Sequence, residues 1–379
     1  MGGLRILFFS NSSVRAGVEE VVLALVKGLD RRQFDVHLAA PQRLLASFQP
    51  DLDGCPVRIL GIQLDSWKNW RDIRLFLRYL RRERIQIVNS HLFWATLFAA
   101  PLARLAGVPV VIETTHGPEA WRRSWWKRTC WLDRFIELFV SANIAVSEAN
   151  RDYLITRKRY PARKIRVAPN GRDLASYTAV PEPMLQQLRQ KFGLDATHRV
   201  LVVVGRLEEQ KGHRDLLDAL PDLVRHFPRL KVILVGDGSL RQALERSVSA
   251  AGLSENVIFA GFTRGVAAFY RLAELVVLPS LYEGMPLVAI EAGAAQRALV
   301  ATAVDGTREV IVPGQTGLLV PPHSPAALGQ AISQLLDNPR LAQQMGQAGR
   351  ARVEQLFSLD QQLESTAQIY RDCLAVAGA

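Results

Sequence analysis

Short apolar, β-rich runs recur along all 379 residues, and stretches with helical spacing separate most of them. In the first half the strand pattern falls at 4–10, 34–40, 57–62, 85–90, 109–115, 143–146 and 165–168. Helical patterns lie between most of these, at 17–29, 69–83, 92–106, 119–140 and 147–157. The second half repeats the alternation, with strands at 199–205, 230–236, 256–260, 274–278, 298–302 and 317–320. Its helices are expected near 211–227, 239–252, 286–295 and 324–356. Strands that alternate with helices build parallel sheets covered on both faces. The length is more than one core needs and suits two. The turn-rich break Pro169-Asn-Gly-Arg-Asp173 separates the halves. The reading is therefore α/β, with two Rossmann-like doubly wound parallel-sheet domains at 1–170 and 171–359. The segment after them, 360–379, is amphipathic over most of its length.

One stretch of the second half concentrates chemistry. The run Leu275-Val-Val-Leu278 reads as a buried strand, and Pro279 and Ser280 end it. Gly284 permits a tight turn, and Pro286 stands where a helix can begin. Glu283 lies in the loop and Glu291 on the helix. A strand–loop–helix unit presents its loop at the carboxyl end of the sheet, where open α/β sheets bind ligands. The helix N-terminus adds backbone donors suited to a phosphate. Eight residues of helix span roughly 12 Å, enough for the two carboxylates to reach different parts of one extended ligand. The plainer alternative is two solvated glutamates beside a turn.

Other strand ends carry polar groups too. Val200-Leu-Val-Val-Val-Gly205 feeds Arg206, with Lys211 near the next helix start. Two cations there can converge on a diphosphate, whereas surface ion pairing is the alternative. After the first strand, Ala16-Gly17 opens a helix, and glycine allows close backbone approach. Asn89-Ser-His-Leu-Phe-Trp94 and Thr114-Thr-His-Gly117 place His91 and His116 at neighbouring strand ends. Asp51-Leu-Asp53 has the spacing of a metal-binding carboxylate pair, but it sits between Pro50 and Gly54 and reads as a surface turn.

Together these residues resemble the retaining glycosyltransferases of family 4 (glycosyl transferases group 1), which have the GT-B fold. Glu283-Gly284-Met285-Pro286-Leu287 and Glu291 match the family's Glu-x7-Glu motif. The run Gly205-Arg206-Leu207 through Lys211-Gly212 matches its Gly-Arg-Leu-x-x-x-Lys-Gly signature. The resemblance implies two domains facing a central cleft, with the C-terminal helix 360–379 packing back on the first. It implies an acceptor-binding first domain and a donor-binding second one. Glu283 and His116 then lie near the donor sugar, Glu291 holds the ribose, and Arg206 and Lys211 bind the leaving diphosphate. Gly261, Phe262 and Thr263 lie where the family's backbone meets the base. The family usually has two consecutive glycines at the first helix, and this chain has only Gly17. The implied activity is a retaining, metal-independent hexosyl transfer. The donor is a UDP-, GDP- or ADP-sugar and the acceptor a glycan or lipid-linked molecule, as in cell-envelope polysaccharide, lipopolysaccharide or glycolipid synthesis. No cofactor and no metal is expected.

Charge is unevenly spread. Residues 1–170 hold 27 Lys+Arg against 15 Asp+Glu, whereas the remainder holds 20 against 21. A basic half points to an anionic partner. The segment Trp121–Phe139 interleaves Arg122, Arg123, Lys127, Arg128 and Arg134 with aromatic rings, which suits an anionic bilayer surface. Three widely spaced cysteines, Cys55, Cys130 and Cys373, give no disulfide framework. With no leader pattern at the N-terminus, the expectation is a cytoplasmic protein, peripheral on the inner face of the cytoplasmic membrane, with no nucleic-acid partner. Rival readings are a sugar-nucleotide 2-epimerase of the same fold and a non-catalytic nucleotide-sugar or lipid-binding protein. A nicotinamide oxidoreductase is disfavoured, since no Gly-x-Gly-x-x-Gly opens the first helix.

Overall fold

The computed structural model describes residues 3–118 and 131–378. The chain divides into two compact units, residues 1–171 with 359–379, and residues 172–358.

The first unit is a seven-stranded sheet. Its strands are β1 (Leu4–Phe9), β2 (Phe34–Ala40), β3 (Arg58–Gly61), β4 (Ile87–His91), β5 (Val110–Thr115), β6 (Ala142–Ala145) and β7 (Ile165–Val167), in the order β3-β2-β1-β4-β5-β6-β7. Every pairing is parallel. Helices cover both faces, so the central strands are apolar throughout, as Ile6-Leu7-Phe8-Phe9 shows. The order reverses between β1 and β4, and this switch point is where doubly wound sheets open a crevice.

The C-terminal helix Leu359–Gly378 belongs to this unit. Tyr370 is wholly buried against Phe8 and Phe34. Its hydroxyl accepts from Asn89 Nδ2 at 2.6 Å, and Thr114 Oγ1 donates to Asn89 Oδ1 at 2.9 Å. Gln362 Oε1 accepts from Gly171 N at 2.9 Å.

The second unit has six strands, β8 (Arg199–Val204), β9 (Leu230–Val235), β10 (Val257–Gly261), β11 (Leu275–Leu278), β12 (Ala298–Thr302) and β13 (Gly317–Val320). They pair in parallel in the order β10-β9-β8-β11-β12-β13, with the switch point between β8 and β11.

Several local expectations are corrected. The turn expected around Asp51 and Asp53 is the end of a helix, Gln42–Leu52, with Pro50 inside it. Leu44, Leu45, Phe48 and Leu52 bury along one side of that helix, and this packing outweighs the hydrogen bond lost at proline. Asp51 pairs with Arg15 Nη1 at 2.6 Å. Among the described residues no three His, Cys, Asp or Glu side chains are grouped to hold a metal. The helix expected over 324–356 is two, Pro325–Asp337 and Pro339–Leu356. Asn338 precedes proline and is pushed out of the helical region. Two short helices, Glu182–Lys191 and Val266–Leu272, stand where none was expected. Residues 119–130, most of the Trp/Arg-rich segment, lie outside the described residues. Its described end is the helix Trp131–Glu137. No described helix is long and apolar enough to cross a membrane.

Candidate active site

At the switch point of the second unit, the loops after β8 and β11 meet. After β8 the chain makes a 3-10 turn, Glu209–Lys211, and then the helix His213–His226. Gly212 joins them with a left-handed backbone, φ 61°, and a Cβ there would collide with Pro279 O. Only glycine meets both demands. The close approach is fixed by Leu281 N donating to Gln210 O at 2.8 Å and Gln210 Nε2 donating to Tyr282 O at 3.0 Å.

This docking brings Lys211 Nζ to Glu283 Oε1 at 2.5 Å. Ser280 Oγ donates to the same oxygen at 2.7 Å, and Asp305 Oδ2 accepts from Glu283 N at 3.1 Å. Glu283 is buried, and its charge is offset by the ammonium. Burial pushes the Asp305 carboxyl above its usual range. Gly284, Met285 and Pro286 are buried and Leu287 is half-buried. A Cβ at Gly306 would strike Gly284 O, so that turn is clamped by backbone. Arg206 is exposed just past β8, with Nη2 3.3 Å from Gln210 Oε1. An ammonium has three donors, and Lys211 spends one on Glu283.

Pro286 caps the helix Leu287–Ala294, which carries Glu291 on its buried side. Arg172 Nε donates to Glu291 Oε1 at 2.9 Å and the Tyr270 hydroxyl donates to Oε2 at 2.8 Å. Burial, reinforced by Glu291, raises the Tyr270 phenol well above its ordinary value. Sequence reasoning misses Arg172 and Tyr270, because they stand 119 and 21 residues from their partner. Gly261 ends β10 with φ 75°, Phe262 is exposed, and Thr263 Oγ1 accepts from Gly265 N at 3.1 Å. His213 is buried with neither ring nitrogen hydrogen-bonded among the described residues, and burial lowers its pKa to about 4.

In the first unit the polar groups gather at the other switch point. Gly17 is the exposed first residue of the helix Gly17–Gly28. Ala16 N at its N-cap donates to Glu19 Oε2 at 3.1 Å. His91 ends β4 and His116 follows β5, and the register sets them side by side. His91 Nδ1 lies 2.9 Å from His116 Nε2, with the rings stacked at 5.2 Å. Burial lowers His91 well below its ordinary pKa, His116 adding to the effect, and lowers His116 to about 4. Both are neutral at pH 7, so one N–H serves the contact and either ring can be its donor.

Two family models divide this chain between them. Glycosyltransferase Family 4 matches residues 15–176 and Glycosyl transferases group 1 matches residues 185–352. The alpha-maltose-1-phosphate synthase of Mycolicibacterium smegmatis is 31% identical over 317 residues, covering 76% of this chain and 79% of that one. The chain is a family 4 glycosyltransferase with the GT-B fold. A second relative of this glycosyltransferase is the UDP-Gal:alpha-D-GlcNAc-diphosphoundecaprenol alpha-1,3-galactosyltransferase of Escherichia coli. It is 24% identical over 366 residues, covering 94% of each chain. Among solved structures, Anabaena HepE in complex with UDP-glucose superposes with a TM-score of 0.84 at 20% identity, over 97% of the glycosyltransferase and 100% of HepE.

Proposed function

We propose that this glycosyltransferase moves a hexosyl group, with retention, from a nucleoside-diphosphate sugar to a glycan or lipid-linked acceptor. The observation that carries the reading is the pairing of Lys211 with the buried Glu283, with Arg206 just past the same strand, at the switch point of a doubly wound sheet. As the bond between the anomeric carbon and the diphosphate breaks, its electron pair leaves with the diphosphate oxygen. Negative charge grows there and positive charge grows on the sugar. Arg206 and the two remaining donors of Lys211 meet the negative charge, which supports a transfer without a metal. Glu283, held by Lys211 and Ser280, positions the sugar, and Glu291 takes the ribose hydroxyls. The turn Gly284-Met285-Pro286-Leu287 brings backbone up to the diphosphate at a helix start, where Pro286 itself has no N–H to give, and Gly261, Phe262 and Thr263 flank the base. In the first unit Gly17 allows close approach at a helix start, and His116 presents a neutral imidazole at a strand end.

The diphosphoundecaprenol named in the acceptor of the Escherichia coli relative, together with the basic first half, supports a lipid-linked acceptor in cell-envelope synthesis. The same facts support a peripheral place on the inner face of the cytoplasmic membrane, with Trp121–Phe139 as one contact. Within that segment Phe135 and Leu138 are exposed.

Calorimetric titration with UDP-, GDP- and ADP-sugars in EDTA tests the donor site. Binding of one of them, lost in Lys211→Ala, is expected and names the base. Binding that appears only when a divalent metal is restored removes the metal-free mechanism. Conversion of the donor to its epimer without any acceptor assigns the chain to an epimerase instead.

A further inference from the structure

The helix Trp70–Arg82 is divided lengthwise into two unlike faces. Phe76, Tyr79 and Leu80 are buried in the core of the first unit, with Ile73 and Leu77 packed at its edge. The opposite face carries Arg71, Arg74, Arg78, Arg81 and Arg82, all exposed. Residues 67–84 hold seven Lys or Arg against two carboxylates, and those two are occupied. Asp72 Oδ2 accepts from Gln63 N at 2.9 Å, while Glu83 pairs with Arg58 at 2.6 Å and Arg82 at 2.8 Å. Among the described residues Arg71, Arg74 and Arg78 have no carboxylate partner.

Aromatic rings sit among these cations. Trp67 and Trp70 are 53% and 54% exposed. Trp67 lies on Phe98, ring centroids 4.9 Å apart. Trp94 is one turn before Phe98 on the helix Phe93–Leu105 and is 51% exposed. Residues four apart share a helix side, so Trp94 faces the same way as the ring that Trp67 covers. These are all the tryptophans whose side chains the structure describes, and none is buried. Leu75, also exposed, stands between Arg74 and Arg78.

We propose that this face, Trp67 to Arg82 with Trp94 at its margin, docks on an anionic bilayer surface. Tryptophan rings settle at headgroup depth, and unpaired arginines alongside them meet lipid phosphates. Single-stranded nucleic acid is the other polyanion that aromatics and arginines bind, but it needs an open ring face for base stacking. Trp70 offers none freely, since Arg71 and Arg74 lie over its ring at 5.5 and 5.1 Å. The surface shares no residue with Trp121–Phe139, and it stands whatever the donor site binds.

The test is co-sedimentation of the full chain with phosphatidylcholine vesicles, with and without phosphatidylglycerol. Wild type is expected to bind only the anionic vesicles, and added salt should release it. The triple variant Arg71→Gln, Arg74→Gln, Arg78→Gln should lose on the order of 100-fold in partitioning, with its melting temperature and its nucleotide-sugar binding unchanged. Trp67→Ala with Trp70→Ala should weaken binding several-fold even at low salt. Anionic-vesicle binding of the folded triple variant within twofold of wild type overturns the proposal and moves the contact to Trp121–Phe139. Tighter binding of a single-stranded oligonucleotide than of anionic vesicles, lost in the same variant, overturns it in favour of nucleic acid.

Discussion

His91 and His116 touch through ring nitrogens 2.9 Å apart, on the ends of adjacent parallel strands, with His91 Nε2 unpartnered among the described residues. Burial holds both below the usual histidine pKa. The unfolded chain therefore binds more protons below about pH 6.5, and stability rises with pH through that window. The contribution of each imidazole is fully present above the unfolded value and falls away as pH drops toward about 4 for His116. Melting followed from pH 7.5 to 4.5 should show a decline of roughly 2 kcal/mol from His116, with a further loss from His91. His91→Asn should flatten that slope, and an unchanged slope would show that the pair is not its source.

Lys211→Ala leaves a buried carboxylate without its ammonium. Transfer should fall by roughly 10²- to 10³-fold in kcat, as when one stabilising donor is removed from a developing anion. Activity within a few-fold of wild type would take Lys211 out of the site. Glu283→Gln is expected to lower kcat with little change in nucleotide affinity, because Lys211 and Arg206 would still meet the diphosphate. Steady-state kinetics with titration of the free diphosphate separates the two effects.

Glycines 212 and 314 offer a paired test of backbone against packing. Both have left-handed φ, 61° and 77°, but only Gly212 abuts a carbonyl, that of Pro279. Gly314→Ala should cost about 1 kcal/mol from φ alone. Gly212→Ala adds a collision in a packed region and should cost about 2–5 kcal/mol, with loss of transfer because Lys211 is displaced. Equal losses in chemical denaturation would mean that the β8 and β11 loops yield more easily than their hydrogen bonds suggest.

Tyr270→Phe takes the hydroxyl from Glu291 Oε2 inside the second unit. Leaving that oxygen unmatched should cost roughly 1–3 kcal/mol. Because Arg172 still holds the other oxygen, nucleotide affinity should fall about tenfold or less, a loss of up to roughly 1.4 kcal/mol. Arg172→Ala should be the more severe of the two. Calorimetry on both variants checks the ranking.

The sheets were legible because buried parallel strands are apolar on both faces, so Val200-Leu-Val-Val-Val204 announces itself without any partner in view. The loops at strand ends were legible for a related reason, since charged residues directly after such a run have few other places to be. What failed was anything set by tertiary contact. The stretch between Pro50 and Gly54 reads as a surface turn, yet the helix Gln42–Leu52 runs through Pro50 because four apolar residues pack on one side. The Val266–Leu272 helix is only seven residues long and too brief to show a period. Arg172 read as part of a linker, and its partnership with Glu291 follows only from the folded second unit. Two histidines could be placed at strand ends from sequence, but their mutual contact depends on the β4–β5 register.

The first unit closes with residues made only after the second unit. Tyr370 fills the space between Phe8 and Phe34, and its hydroxyl is the partner of Asn89 in the sheet. On the ribosome, β1 to β7 emerge long before Leu359–Gly378 does. At about 5–20 residues per second, the intervening stretch takes roughly 10–40 seconds to synthesise. The second unit, contiguous in sequence, can complete itself within that interval. The earlier one must wait with an aromatic-lined groove uncovered. A nascent chain stalled or truncated before residue 359 would thus expose apolar surface in its first unit and become a substrate for holdase chaperones, although every residue of the proposed donor site is already made.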